Sequence, residues 1–119
     1  MLDTNAVVAL LRGDARIVSW LKAAEWIGIS VISQIEFLAF AGLTAPDRTL
    51  FTEFLHRSHV VGLTGNATEL INQIVHIRQT HRLKLPDAIV AASALAMNAT
   101  LLTADQHLKN VPQLKIVSF

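Results

Sequence analysis

Four times along this 119-residue chain an apolar stretch gives way to the start of a helix, and each time an acid stands close to the junction. Asp3 follows Met1-Leu2. Glu36 follows the run Ile27 to Ser33. Asp87 follows Leu85-Pro86, and Asp105 follows Thr100 to Thr103. Short apolar strands alternating with helices predict crossover connections and a mostly parallel sheet. In such a sheet the carboxyl ends of the strands share one edge, and ligands bind there. Acids distant in sequence can therefore meet in space. Carboxylates that meet repel one another unless a proton or a cation lies between them, so the pattern points to a divalent-metal site of the kind that suits phosphodiester chemistry.

The elements read as follows. Met1-Leu2 is a very short strand, Ala6–Arg12 a helix, and Asp14 caps a second helix running to about Ala24. Ile27–Val31 is a strand. Ser33–Ala41 is a helix closed by Gly42. Pro46 starts a helix that runs to about Ser58, and His59–Leu63 is a strand. Asn66 caps a long helix, with Glu69 three residues on as in a capping box; its apolar face is Leu70, Ile71, Ile74, Val75 and Ile77. Pro86 suits the first turn of a helix reaching about Asn98. Thr100–Leu102 and Lys115–Ser118 are the last strands. No repeat, linker or low-complexity tract divides the chain, which is expected to form one domain over residues 1–119.

At 52% hydrophobic and 16% charged residues, the chain is more apolar than an average soluble domain. Apolar surplus of this kind is often covered by a partner or a second copy. Trp20, Trp26 and the five phenylalanines are expected in the core or facing a partner. Two apolar windows, Trp26–Leu43 and Ala88–Ala104, contain polar residues and fall short of the roughly 20 continuous apolar residues that a membrane span needs, so both read as buried core. The start lacks the basic region of a signal peptide. There is no cysteine, hence no disulfide framework and no thiolate ligand or nucleophile; a reducing, cytoplasmic setting fits. The formal charge is +1, but with the four junction acids set aside ten bases face the five remaining acids. That balance tolerates a polyanion. Arg78 and Arg82, four residues apart on one helix face, are placed either to steer phosphates or to meet the C-terminal dipole of their helix.

Mg²⁺ prefers six oxygen ligands and keeps several waters, so three or four carboxylates suffice to hold one or two ions. Asp3 and Asp87 are expected as direct ligands; Glu36 and Asp105 would bind directly, through water, or act on the attacking water. Each acid also has a purely structural reading. Asp3 or Thr4 can cap a helix. Asp87 favours the helix dipole. Thr103 with Gln106, and Ser33 with Glu36, both fit capping boxes. None of the five histidines has the spacing of a paired metal motif, and His107 reads as a surface residue or a phosphate contact.

The segments Asp3-Thr4-Asn5, Ser33-Gln34-Ile35-Glu36, Leu85 to Ala92 (LPDAIVAA) and Leu102-Thr103-Ala104-Asp105 together resemble PIN-domain proteins, and more narrowly VapC-type toxins of type II toxin–antitoxin systems. The resemblance covers essentially the whole chain. It implies a three-layer α/β/α sandwich with about five parallel strands. It also implies an endoribonuclease dependent on Mg²⁺ or Mn²⁺, with Asp3, Glu36, Asp87 and Asp105 as catalytic and metal-binding acids. RNA would be the substrate, a cognate antitoxin the inhibitor, and a homodimer the assembly. Asn5 and Thr103 match small polar positions beside the acids. Two departures stand out. Only Met1 and Leu2 precede Asp3, where family members usually have a fuller strand, so strand one is expected to be marginal. His107-Leu108 stand where members often carry an acid and then Phe.

Two other readings compete. A PIN-type RNA-binding or interaction module with little turnover has no need of all four acids. A phosphohydrolase of the haloacid dehalogenase type would need an acid at position 5, where this chain has Asn5. No glycine-rich phosphate loop of either common pattern is present.

Overall fold

The computed structural model describes residues 1–119. In chain order the elements are α1 (Thr4–Leu11), α2 (Ala15–Ala23), β1 (Gly28–Ser30), α3 (Val31–Leu38), α4 (Ala45–His56), β2 (His59–Val61), α5 (Thr68–His81), α6 (Leu85–Ala96), β3 (Leu101–Thr103), a 3₁₀ turn over Gln106–Asn110 and β4 (Ile116–Ser118). All pairing is parallel. Ile29 of β1 lies opposite Val60 of β2, and Leu102 of β3 opposite Val117 of β4.

The expected sheet of about five strands is corrected here. There are two two-stranded ladders, and between them only Leu2 pairs, bridging Ile29 on one side and Leu102 on the other. The spatial order is therefore β2, β1, Leu2, β3, β4. Three backbone bonds join the ladders through this residue and its neighbours. Leu2 N–H donates to Gly28 (2.9 Å), Asp3 N–H to Leu102 (3.2 Å), and Leu102 N–H to Met1 (2.8 Å). A longer central strand cannot form past Leu2, because Asp3 is already the N-cap of α1.

Several boundaries also differ from the sequence reading. The third helix begins at Val31, two residues before Ser33, because the Ser30 hydroxyl accepts from Ile32 N–H and caps it there. It ends at Leu38, short of Gly42. The Asn66/Glu69 capping box does not form: Ala67 is the N-cap of α5, with no side-chain bond. A capping box does form at α4, where Thr44 and Asp47 bond reciprocally. Asp14 caps α2 as expected, accepting from Arg16 and Ile17.

The two faces of the sheet carry separate cores. On one side Met1, Leu101, Ile74, Ile77 and the run Ala88–Ala92 pack together with Leu108. On the other, Leu2, Leu102, Ile29, Ala6, Val7, Ile17, Phe37 and Phe51 form the second core. Alternate residues of the central segments thus face opposite layers, as strand geometry requires, and helices lie on both faces. Phe37 stacks on Phe51 with centroids 4.1 Å apart. Helix α6 is buried without interruption from Ala88 to Ala94, and its alanines let α5 and the sheet approach closely. Val75, expected on the apolar face of α5, is instead exposed, as is Phe40.

Candidate functional site

The four junction acids come together. Asp3, Glu36, Asp87 and Asp105 line a single cavity of about 190 Å³, together with Thr4, Asn5, Ser33, Val90 and Leu108. Topology explains the convergence. Asp3 ends the central segment, Asp105 follows β3, Glu36 lies on the helix that follows β1, and Asp87 opens α6. All four therefore sit at the strands' carboxyl edge, where an open parallel sheet binds ligands.

Local bonds hold three of the acids. Asp3 Oδ1 accepts from Ala6 N–H (2.8 Å), so Asp3 is both a helix cap and a cavity wall. Thr4 Oγ1 donates to Glu36 Oε1 (2.8 Å), tying α1 to α3. Asp105 Oδ1 accepts from His107 N–H (2.9 Å), capping the 3₁₀ turn, and lies 3.0 Å from His107 Nδ1. Glu36 is not a capping-box residue, since its helix starts before Ser33. Thr103 accepts from Asp105 N–H (3.0 Å), so that expected capping box gives way to Asp105 as the cap.

The electrostatics are those of crowded carboxylates. Burial raises the Asp3 carboxyl above its ordinary value; the Thr103 hydroxyl and the Ala6 N–H oppose this, and the charges of Asp105 and Asp87 add to it. Burial likewise raises Asp87, with the Asp105 and Glu36 charges adding to it and Lys84 and His107 working against it. The fourfold charge interaction shows that the acids share one field.

These residues fit a divalent cation. They offer hard oxygen donors, their mutual repulsion is relieved by positive charge, and the Ser33 hydroxyl beside them is fully buried with no hydrogen-bond partner. A buried hydroxyl left in that state costs roughly 1–3 kcal/mol. As they stand, no three acid or histidine side chains close on a single point at metal-holding distance. Ser33 and Thr4 were not legible as site residues: nothing in the spacing relates position 4 to position 36. A larger hollow of about 400 Å³, between α1, α2 and α4 and lined largely by apolar side chains such as Leu10, Leu21 and Phe54, contains none of the four acids.

Solved structures share this architecture. VapBC2 from Rickettsia felis, bound to a DNA fragment from its promoter, matches with a TM-score of 0.83 at 21% identity, covering 100% of this chain and 97% of the other. A toxin–antitoxin complex from Klebsiella pneumoniae matches with a TM-score of 0.79 at 24% identity, covering 98% and 93%. FitAcB from Neisseria gonorrhoeae matches with a TM-score of 0.69 at 24% identity, covering 97% and 94%. No curated protein matches the sequence significantly. The PIN domain family matches over residues 1–114, nearly the whole chain and all four cavity acids, and the chain belongs to that family.

Proposed function

We propose that this protein is a metal-dependent endoribonuclease of the VapC type, the toxin of a toxin–antitoxin pair. The observation that carries the reading is the single cavity lined by Asp3, Glu36, Asp87 and Asp105. PIN domains are generally nucleases, and the similar structures include toxin–antitoxin complexes. Asp3 and Asp87 would hold Mg²⁺ or Mn²⁺ directly, with Glu36 and Asp105 completing the set directly or through water. When bound, the cation lowers the pKa of a coordinated water and offsets charge developing on the phosphate. Glu36, the most exposed of the four acids, would take a proton from the attacking water. Lys84, close enough for its charge to act on Asp87, would meet the RNA backbone.

A cognate antitoxin and a second copy of the chain are the proposed partners. Ile35, Phe40, Val75 and Leu85 are apolar, large and exposed, which gives such contacts something to cover. No helix is long and apolar enough to cross a membrane, and a cytoplasmic location is proposed with the rest. The test is incubation of purified protein with total RNA. Cleavage should require Mg²⁺ or Mn²⁺, stop in EDTA and return with excess metal. Undiminished cleavage in chelator overturns the metal mechanism. A folded protein that binds RNA without cleaving it under any metal condition favours the interaction-module reading.

A further inference from the structure

Ser33 lies in the first turn of α3, three residues after the N-cap Ser30. A serine within a helix ordinarily returns its hydroxyl to the carbonyl three or four residues back. Here those residues are Ser30 and Ile29, both in β1, and the Ser33 hydroxyl bonds to neither; it is fully buried and has no partner. It borders the acidic cavity, and α3 packs against α6, whose first turn carries Asp87. Among the four acids, Asp3 is engaged by Ala6, Glu36 by Thr4 and Asp105 by His107. Asp87 alone is shaped only by burial and neighbouring charges, with no hydrogen bond acting on it. One buried donor without an acceptor and one carboxylate without a donor thus share a cavity.

We propose that Ser33 is a positioning residue of this site, its hydroxyl donating to the Asp87 carboxylate when the cation is bound and fixing the orientation in which Asp87 presents its other oxygen. The inference rests on the metal-site reading above. Metal-ligating carboxylates are themselves commonly held by hydrogen bonds, and losing such a support typically weakens metal affinity 10- to 100-fold.

The experiment is Mn²⁺ titration of the full chain, read by paramagnetic resonance of the free ion and by melting temperature. Ser33→Ala should fold and melt, without metal, at or above the wild-type temperature, because no hydrogen bond is lost and a buried unpaired hydroxyl is removed. Its Mn²⁺ affinity should fall by at least about tenfold. Ser33→Thr, which keeps the hydroxyl, should stay much nearer wild type. A crystal structure of the Mn²⁺-loaded protein should place Ser33 Oγ within about 2.5–3.0 Å of an Asp87 oxygen. Mn²⁺ binding by Ser33→Ala within twofold of wild type overturns the proposal, as does a loaded structure in which the hydroxyl bonds elsewhere. A metal-free Ser33→Ala protein that melts well below wild type assigns the residue a structural role instead. Failure of the folded wild type to bind Mn²⁺ at all overturns the metal-site reading and this inference with it, an outcome distinct from binding that is indifferent to position 33.

Discussion

At the scale of single residues, the proposed site role of an acid and its local structural role are separable by substitution. Glu36 accepts a hydrogen bond from Thr4, which glutamine can also accept, but glutamine brings no charge to the cavity and takes no proton from water. Glu36→Gln should therefore stay folded while its cleavage rate falls at least about tenfold, roughly 1.4 kcal/mol of transition-state stabilisation; single-turnover rates under saturating Mg²⁺ check this, and a rate within twofold of wild type removes Glu36 from the site. Asp87 yields a pH signature. Its carboxyl is raised above the ordinary value by burial and by its acidic neighbours, so without metal the charged form opposes folding. That cost is fully present above the raised value and is relieved as the pH falls through it toward the ordinary aspartate value of 3.8, because the folded state then binds the extra proton. Asp87→Asn should be at least as stable as wild type at neutral pH, and its relative advantage should shrink on acidification through that window. Paired denaturant titrations in EDTA measure the difference. Comparing the two proteins cancels the buried Met1 amine, which burial lowers to about 6 and which titrates equally in both. An advantage independent of pH would show that Asp87 carries no site charge.

At the scale of elements, the structure explains which parts of the sequence were readable. Helix α6 was plain, since Pro86 marks its first turn and an unbroken small apolar run follows. The four acids were legible because each stands at a junction, and parallel topology then brings such junctions to one edge. Other features rest on contacts that the apolar and polar pattern does not announce. The start of α3 is set by the Ser30 cap, while Ser33-x-x-Glu36 imitates a capping box three residues too late. Gly28 leaves room for the Trp26 ring, which a side chain there would have to displace. The pairing of Thr4 with Glu36 is invisible until α1 and α3 are side by side. Packing of α6 makes its own prediction. Ala91 has no exposed surface, and enlarging a residue in such a place typically costs about 1–3 kcal/mol. Ala91→Leu should lower stability by that order in equilibrium unfolding. It should also reduce activity, because displacing α6 carries Asp87 with it; full activity in a destabilised variant would separate the helix's packing from the site.

At the scale of the whole molecule, the two β ladders and the two cores are coupled through very little backbone. The helix carrying Glu36 follows the ladder of β1 and β2, Asp105 follows the ladder of β3 and β4, and Asp3 belongs to the segment between them. Across the middle of the sheet the rungs are the three bonds made around Leu2 and the Met1 amine, which donates to Thr100 (2.8 Å). The sheet is thus two leaves joined at a narrow seam, and Asp3, the residue that follows Leu2 in that seam, lines the acidic cavity. On the proposed function, a cation held by acids from both leaves would act as a clasp. The amides of Leu2, Asp3 and Leu102 should accordingly exchange with deuterium more slowly when Mn²⁺ or Mg²⁺ is added, by a larger factor than amides in the middle of α5, and the effect should disappear in Asp87→Asn. Equal slowing at both places would mean that metal tightens the fold generally; selective slowing at the seam would mean that the nuclease sets the width of its own jaws by what they hold.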